Sequence, residues 1–329
     1  MNINVALLGA GRIGRVHAEA IRAATGATLY SVSDAIESAA QSLAADLNCK
    51  VLSVEEAIAS SEVDAVLIAT PTDTHADLIE ACARAGKAIF CEKPIDLDSQ
   101  RVKACLAVVE ETGARLMVGF NRRFDPHFAA LKETVDTGGI GQVEQVQITS
   151  RDPEPPPAEY AARSGGIFRD MMIHDLDMAR FLLGEEVSKV FAVGSVLVDK
   201  AIGEAGDVDT AMAVLTTASG KQCVITNSRR ATYGYDQRIE IHGSEGMVSA
   251  DNPRLNTVEV AGVQGYSRGP LHNFFMTRYT EAYVNEINRF VEWLSGADVE
   301  VPGGEDGLKA LQLADAAVAS LSSGKTEYL

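Results

Sequence analysis

A carboxylate and an imidazole are set into an otherwise apolar segment, GGIFRDMMIHDLDMARFLLG, at residues 165–184. Asp170 and His174 are four residues apart, and the helical spacing of the apolar side chains predicts that both lie on one face. A neighbouring carboxylate fixes the tautomer of an imidazole and raises its basicity. A histidine placed in this way is suited to take the proton of a hydroxyl group. The pattern therefore predicts a general base, His174, that Asp170 orients.

Other interpretations of this segment remain open from the residues alone. Asp170 could cap the helix, and His174 could be a buried histidine with satisfied hydrogen bonds. Asp177 could join both residues as a metal ligand, but no further cluster of histidines or carboxylates supports such a site, so we expect no metal. Asp175 and Asp177 are expected to face solvent or to serve the structure.

A lysine stands at the end of a predicted strand in FCEKPIDLD, residues 90–98. Glu92 and Lys93 follow a short apolar run, and Pro94 favours an extended backbone at Lys93. A cation at the carboxyl end of a parallel strand could stabilise the negative charge that develops on a substrate oxygen. The alternative is an exposed lysine in a loop, which is the commoner place for this residue type.

The segment LLGAGRIG places three glycines between the first predicted strand and the first predicted helix. In Gly9-x-Gly11-x-x-Gly14, the first glycine makes a tight turn, the second admits a pyrophosphate and the third lets helix and strand pack closely. Asp34 follows at the end of the next strand, where a carboxylate can bind a ribose 2′-hydroxyl. Because no arginine follows Asp34 to hold a 2′-phosphate, the sequence predicts NAD rather than NADP. The alternative is a glycine turn without a ligand.

The next parallel strand ends in IATPTDTHADL, residues 68–78. Ligands of such sheets lie outside the carboxyl ends of the strands, so we expect this segment to line the dinucleotide groove. His75 could instead cap the following helix. The predicted cofactor-binding residues are Gly9, Gly11, Arg12, Ile13, Gly14, Asp34, Thr70, Pro71, Thr72, His75, Glu92 and Lys93.

The predicted strands and helices follow one pattern in the first part of the chain and another pattern in the second part. Up to residue 120, short apolar runs alternate with helical patterns, which predicts buried parallel strands joined by right-handed crossover helices. Between residues 187 and 260, strand-like runs are separated by Gly, Asn or Asp, which favours an antiparallel sheet. We predict a dinucleotide-binding domain, 1–120, and a substrate-binding and oligomerisation domain, 121–329, whose C-terminal helix could pack back on the first.

Composition argues against several classes of function. The 329 residues include 46% hydrophobic and 23% charged side chains, with a formal net charge of −17. This charge opposes binding to nucleic acid or to an anionic membrane, and no apolar run is long enough to span a bilayer. The five cysteines show no Cys-x-x-Cys spacing, so we expect small buried side chains in a reducing cytoplasm rather than disulfides or a thiolate metal site.

The motifs together resemble one protein family. The glycine loop, ATPTDTHADL, CEKPIDLD, GFNRRFDPHF and the Asp-x-x-x-His segment, in this order over the whole chain, resemble the Gfo/Idh/MocA oxidoreductases. SRDPEPPP and SRRATYGYDQRIE are similar to its inositol dehydrogenase branch. The resemblance implies an α/β fold, with an N-terminal Rossmann doubly wound parallel sheet and a C-terminal α/β domain with a large, open, mainly antiparallel sheet. It also implies a homotetramer that buries one face of that second sheet.

The same resemblance implies an activity. We expect NAD-dependent oxidation of myo-inositol to 2-keto-myo-inositol by hydride transfer, with His174 as general base, as a step of inositol catabolism. A different inositol isomer, such as scyllo- or D-chiro-inositol, or a pyranose sugar is the alternative substrate. A sensor of NAD or sugar without turnover is a further alternative, which the presence of Lys93, Asp170 and His174 disfavours.

The resemblance also implies roles for single residues. Lys93, Asp170 and His174 match the family's catalytic lysine, aspartate and histidine. The residues expected around the substrate are Lys93, Arg122, Asp152, Asp170, His174, Tyr235, Tyr279 and Tyr283.

These substrate residues also have independent interpretations. Tyr279 and Tyr283 are expected to share one face of a helix over 275–295. Arg122 could instead be a surface charge, and tyrosines often pack as structural side chains. Ser150 and Met172 depart from residues that occur in the inositol branch, which bears on the choice of substrate.

Overall fold

A parallel sheet of six strands organises the first part of the computed structural model, which describes residues 2–329. The strands lie in the order β3-β2-β1-β4-β5-β6 and pair in parallel throughout. Their bounds are β1 Ile3–Leu8, β2 Ala27–Ser33, β3 Lys50–Val51, β4 Ala65–Ile68, β5 Ala88–Glu92 and β6 Leu116–Gly119. Every residue of β4 is buried, as expected for a strand that is covered on both faces. The predicted doubly wound parallel sheet is confirmed.

Helices follow most of these strands and continue through the chain. Their bounds within the described residues are α1 Arg12–Ala23, α2 Glu37–Leu47, α3 Val54–Ala59, α4 His75–Arg84, α5 Ser99–Thr112, α6 Pro126–Asp136, α7 Ala158–Arg163, α8 Ile173–Leu183, α9 Lys200–Glu204, α10 Phe275–Arg278, α11 Thr280–Leu294 and α12 Gly304–Ser323. None of the helices within residues 2–329 combines the length and apolarity that a membrane span requires.

The strand order reverses beside β1. Strands β2 and β3 lie on one side of β1, and the next strand along the chain, β4, pairs with the other side of β1. The carboxyl ends of β1 and β4 therefore lie side by side, which is where doubly wound sheets bind their ligands. The glycine loop follows β1, and the segment Thr70 to His75 follows β4, so both predicted cofactor motifs lie at this edge.

The chain divides into two compact units. The first contains the described residues up to Asp125 together with Thr280–Leu311, and the second contains Pro126–Tyr279 and Gln312–Leu329. Helix α11 belongs to the first unit, where it packs on α1 through an apolar face that recurs with helical spacing. The functional division predicted at residue 120 remains a prediction.

A mixed sheet of seven strands organises the second unit. Its order is β12-β11-β7-β10-β9-β8-β15, and each neighbouring pair is antiparallel except β7 with β10. The strands are β7 Val143–Arg151, β8 Val187–Ser195, β9 Thr210–Thr217, β10 Gln222–Ser228, β11 Asp236–Gly243, β12 Gly246–Ala250 and β15 Glu327–Tyr328, and a separate hairpin is formed by β13 Glu259–Gly262 and β14 Gly265–Arg268. Helix α8 packs against β7 and β10. The mainly antiparallel second sheet is confirmed.

Two predicted helices are interrupted. The segment at 165–184 contains a π-helical turn, Phe168–Met172, that leads directly into α8. Gly184, the residue that follows α8, adopts the left-handed conformation. The helix expected over 275–295 breaks at Tyr279, where α10 ends and α11 begins. The prediction that Tyr279 and Tyr283 share one helix face was therefore wrong.

Candidate active site

The glycine loop between β1 and α1 has the geometry of a dinucleotide cradle. Gly9 has a φ of +106°, and a Cβ there would collide with the carbonyl of Ala69. A Cβ on Gly14 would collide with the carbonyl of Gly9, whereas a Cβ on Gly11 would meet nothing within 4 Å. Gly9 and Gly14 therefore serve the turn and the close packing of helix on strand, and Gly11 leaves the backbone open at the N-terminus of α1, where a phosphate is stabilised.

Asp34 is tied directly to this loop. Its Oδ2 accepts the backbone N–H of Ala10 at 2.6 Å, and its Oδ1 accepts the N–H of Ile36 at 2.8 Å. A carboxylate has about four lone-pair sites, so these two bonds fix its place and leave capacity for the hydroxyls of a ribose. The side chain of Ile36 beside it is exposed and offers no positive charge to a 2′-phosphate.

His75 binds the backbone of two loops. Its imidazole is buried, with Nε2 2.8 Å from the carbonyl oxygen of Thr70 and Nδ1 2.8 Å from that of Pro94. The ring therefore links the segment after β4 to the segment that carries Lys93. The structure shows that His75 holds these two loops together. A direct contact between His75 and a cofactor remains a prediction.

Glu92 holds the backbone of Lys93 at the end of β5. Its carboxylate is buried, with Oε1 2.6 Å from Nε2 of His17, and Oε2 accepts the N–H of Lys93 at 3.2 Å. The imidazole of His17 packs edge-on against Phe90 and Tyr283, with ring centroids 5.2 and 5.3 Å apart. The backbone of Lys93 is therefore fixed by a hydrogen bond to Glu92 and is not part of a loose loop.

Glu286 is a second buried carboxyl group in this part of the first unit. It lies on α11, is completely buried, and neither of its oxygens has a hydrogen-bond partner among the described residues. Burial raises its pKa well above the usual glutamate range, and the nearby charge of Glu92 raises it further. Sequence reasoning did not identify Glu286, because its helical position looks like any other on an amphipathic helix.

Two predicted substrate residues also belong to the first unit. Arg122 lies in a 3-10 turn, Asn121–Phe124, directly after β6, and it is buried, so it is not a surface charge. Its neighbour Arg123 binds Asp306 at 2.9 Å. Tyr283 is buried on α11, where its ring contacts His17.

In the second unit, Asp175 anchors α8 to the sheet. Its carboxylate is fully buried and accepts hydrogen bonds from Oγ of Ser150 at 2.5 Å and from Nδ2 of Asn227 at 2.8 Å. Asp177 is also buried. Neither residue therefore faces solvent, and Asp175 serves the structure. Because His174 precedes Asp175, the same anchor fixes the first turn of α8 that carries the predicted base.

Asp170 lies inside the π-helical turn, so it is not a helix cap. Its Oδ2 accepts a hydrogen bond from an amino group of Arg229 at 3.1 Å, and its Oδ1 accepts one from the hydroxyl of Tyr160 at 3.0 Å. The other amino group of Arg229 lies 3.5 Å from Asp152, the predicted substrate residue beyond β7. Turns of this type recur at functional sites. Sequence reasoning missed Arg229, because its partners depend on the pairing of β7 with β10.

The remaining predicted tyrosines of the second unit form an aromatic cluster. Tyr235 and Tyr279 are buried and meet edge to face with centroids 6.0 Å apart, and Phe274 lies 6.1 Å from Tyr235. The hydroxyl of Tyr279 lies 3.5 Å from Oε1 of Gln237. These contacts show packing, and the binding of substrate by either tyrosine remains a prediction. No group of three or more histidines, cysteines or carboxylates within residues 2–329 is arranged to hold a metal ion.

Fold and cradle together define a class of protein, an NAD-dependent oxidoreductase. Residues 3–120 match the model of the oxidoreductase family with an NAD-binding Rossmann fold, and residues 128–249 match that of the GFO/IDH/MocA C-terminal domain. The chain belongs to the Gfo/Idh/MocA family. The predicted family and the predicted cofactor NAD are thereby confirmed.

Named relatives and solved structures align with nearly the full length of this chain. An inositol 2-dehydrogenase of Rhizobium meliloti is 61% identical over 323 residues, which are 98% of each chain. The crystal structure of a myo-inositol dehydrogenase from Corynebacterium glutamicum is 42% identical, with a TM-score of 0.96 over 100% of this chain and 99% of that one. A scyllo-inositol dehydrogenase from Lactobacillus casei, solved with NAD(H) and scyllo-inositol, is 29% identical, with a TM-score of 0.92 over 100% and 99% of the chains.

Proposed function

We propose that this chain is an inositol 2-dehydrogenase that oxidises myo-inositol with NAD⁺ to 2-keto-myo-inositol. The observation that carries the proposal is the identity of 61% to the Rhizobium meliloti inositol 2-dehydrogenase over 98% of both chains. The presence of Lys93, Asp170 and His174 supports it, because a protein that only bound its ligand would not need an acid–base pair and a lysine.

The residues of the chain have separate tasks in this reaction. Bound NAD⁺ supplies the acceptor for the hydride that leaves the carbon of the substrate alcohol. We assign to His174 the removal of the hydroxyl proton at an imidazole nitrogen, and to Asp170 the orientation of that imidazole. The ammonium group of Lys93 would stabilise the negative charge that grows on the substrate oxygen as the proton departs.

The nucleotide is proposed to bind along the edge that the structure defines at β1 and β4. The open backbone at Gly11 and the N-terminus of α1 fit a pyrophosphate, and the anchored carboxylate of Asp34 fits the adenosine ribose. The same carboxylate would repel a 2′-phosphate, so we expect NAD to be strongly preferred over NADP.

The test is the formation of NADH, followed by absorbance, from NAD⁺ and the purified protein with myo-inositol. Parallel reactions contain scyllo-inositol, D-chiro-inositol, glucose, or NADP⁺ in place of NAD⁺. The proposal expects the highest kcat/KM with myo-inositol and NAD⁺. A higher value with scyllo-inositol or with a pyranose would move the assignment to that substrate. Binding of NADH without any turnover of a polyol would contradict the proposal and support a sensor.

We further propose that the protein works as a homotetramer in the cytoplasm, within inositol catabolism. The apolar side chains on the open face of the second sheet support assembly, because soluble monomers rarely expose such a patch. Phe191 faces Val214 and Val193 faces Met212 across β8 and β9, and all four are exposed. The five cysteines are free thiols, which suits a reducing compartment.

A further inference from the structure

Arg229 is a buried guanidinium group that connects two of the predicted site residues. Its side chain is only 4% exposed, and its two amino groups lie 3.1 Å from Oδ2 of Asp170 and 3.5 Å from Oδ2 of Asp152. A buried charge is costly unless it is paired, and here two carboxylates pair with the guanidinium. Nothing in the reaction assigned above uses Arg229 directly.

The pairing of two strands places Arg229 where it is. Strands β10 and β7 run parallel, with Asn227 opposite Ser150 and Ser228 opposite Arg151. The N–H of Asp152 donates to the carbonyl of Ser228 at 2.9 Å, which continues the pairing by one step and brings Arg229 beside Asp152.

Two successive polar pairs thus face the helix. Asn227 and Arg229 are two residues apart on β10 and its extension, so their side chains point to the same side. The first pair, Ser150 and Asn227, holds Asp175 on α8. The second, Asp152 and Arg229, reaches Asp170 in the π-helical turn. The segment that carries His174 is therefore held on both sides of that residue.

The titratable groups that face Arg229 come from three elements. They are Asp152 beyond β7, Asp170 in the π-helical turn and Asp207 before β9, and Tyr160 on α7 reaches Asp170. Burial alone would lower the pKa of Arg229, but Asp170 and Asp152 outweigh it and the pKa lies above the usual value. Burial raises the pKa of Asp207, whose Oδ1 accepts the N–H of Ile167 at 3.1 Å. Arg229 is thus the positive charge that balances a cluster of carboxylates.

We propose that Arg229 is a positioning residue for the Asp170–His174 pair: it fixes the carboxylate of Asp170 with one amino group while it is itself fixed by Asp152 with the other. The proposal rests on the assigned role of His174 as base. A planar fork with two separate donors can do this, whereas the single ammonium group of a lysine cannot span both carboxylates.

The charges around Arg229 determine in which direction the pH dependence of kcat should shift when this arginine is replaced. Removal of the positive charge leaves the carboxylates uncompensated, and their field stabilises a protonated imidazole nearby. In Arg229→Gln we therefore expect the acidic limb of the kcat–pH profile to move to higher pH by about half to one unit. The plateau kcat should fall by about 10- to 100-fold, because Asp170 is no longer fixed. A purely structural arginine would lower the amount of folded enzyme and leave the plateau kcat of the folded fraction unchanged.

The experiment compares Arg229→Gln, Arg229→Lys and the control Arg230→Gln with the wild type, using NAD⁺ and myo-inositol. Arg230 is the exposed neighbour, and its guanidinium donates a hydrogen bond to the carbonyl of Leu197 at 3.3 Å. We expect Arg229→Lys to keep the acidic limb in place and to lower kcat about tenfold, with KM for NAD⁺ unchanged. The control should match the wild type.

Several results would overturn the proposal. A plateau kcat within about twofold of wild type in either Arg229 variant would do so. So would a lower kcat in Arg229→Gln without a shift of the acidic limb. If Arg229→Gln does not fold, Arg229→Lys decides alone through its kcat.

A second readout separates this proposal from the proposed function. The ring signals of His174 can be titrated by NMR without any substrate and assigned by their loss in His174→Asn. Arg229→Gln should move this titration to higher pH, and Arg229→Lys should not. If the wild type oxidises no polyol but the titration moves, the function assigned above fails, while the coupling of Arg229 to the Asp170–His174 pair stands. An unmoved titration overturns the role of Arg229.

Discussion

At the scale of single residues, the proposed reaction depends on one proton that must leave the substrate hydroxyl as the hydride leaves its carbon. His174 occupies the first turn of α8, and the buried carboxylate of Asp175 anchors that turn to β7 and β10. A base held in this way does not have to be ordered when the substrate binds, which is an advantage that fixed catalytic groups have over mobile ones.

The first prediction concerns this base. His174→Ala should lower kcat by about 10²- to 10⁴-fold, the usual loss when a general base is removed. Binding of NADH, measured by fluorescence titration, should be unchanged, because the proposed contacts of the pyrophosphate and the ribose, at Gly11 and Asp34, do not include His174. His242→Ala, at an exposed histidine of β11, serves as control and should keep wild-type kcat. Wild-type turnover by His174→Ala would remove His174 from the mechanism.

The second prediction concerns the carboxylate that is tied to the glycine loop. Asp34→Ala should raise KM for NAD⁺ by about 10- to 100-fold, because a hydrogen bond to a charged group is worth about 1.5–3 kcal/mol. The preference for NAD⁺ over NADP⁺ should narrow, since the charge that repels a 2′-phosphate is lost. Steady-state kinetics with both nucleotides measure these effects. An unchanged KM and an unchanged preference would show that the ribose does not bind at Asp34.

Single residues differ in how far the sequence predicts them. Gly9, Gly14, Asp34 and Lys93 could be placed because their local sequence, a strand end followed by a turn, determines their position. Arg229 could not be placed, because its partnership with Asp152 depends on two strands that are far apart in the chain and pair in parallel. Glu286 could not be recognised either, because only packing shows that its buried carboxyl group has no hydrogen-bond partner among residues 2–329.

At the scale of elements, helix α11 brings a neutral acid into the interior of the first unit. The raised pKa of Glu286 means that its carboxyl group is protonated in the folded chain at pH values where the unfolded chain would ionise it. Below the unfolded pKa both states are protonated and the group has no effect. As the pH rises above that value, the unfolded state gains from ionisation and the folded state loses relative stability.

The third prediction follows from this linkage. Glu286→Gln, which cannot ionise, should gain stability relative to the wild type as the pH is raised from 5 to 8. The gain in the free energy of unfolding should be about 1.4 kcal/mol for each unit by which the folded pKa is raised within that range. Urea titrations at both pH values measure it. Glu281→Gln, at an exposed position of the same helix, should show no such trend. A pH-independent difference for Glu286→Gln would contradict an uncharged Glu286.

The elements also show where sequence patterns stop being informative. Long helices such as α1 and α5 are recognisable from the sequence, because their apolar residues recur with a helical period. Helices α3, α7 and α9 have five or six residues, too few to show a period. The π-helical turn and the break at Tyr279 leave the apolar pattern intact, so only the backbone hydrogen bonds reveal them.

At the scale of the whole molecule, the sequence predicted that one sheet is parallel and that the other is mainly antiparallel. Continuous apolar runs with intervening helices specified the parallel sheet, and runs separated by turn residues specified the mainly antiparallel one. The parallel pairing of β7 with β10 and the membership of α11 in the first unit were not predictable. Both depend on contacts between segments that are distant in sequence, which a local pattern does not contain.

The fourth prediction concerns assembly. Val214→Glu places a charge in the exposed apolar face of β8 and β9, opposite Phe191. Burial of that charge in an interface would be unfavourable, so the proposed tetramer should dissociate into smaller species. Light scattering coupled to size-exclusion chromatography gives the mass. Val51→Glu, at an exposed strand of the first unit, is the control and should leave the mass unchanged. A tetramer in Val214→Glu would exclude this face as the interface.

The central claim is that hydride leaves C2 of myo-inositol for the nucleotide, and isotope transfer tests it most directly. The protein is incubated with NAD⁺ and myo-inositol that carries deuterium at C2 only, and the reduced nucleotide is analysed by mass spectrometry. The account predicts one deuterium in each molecule of reduced nucleotide, together with a slower rate if hydride transfer limits turnover. Reduced nucleotide without deuterium would place the oxidation at another carbon, and no reduced nucleotide at all would contradict the assigned reaction.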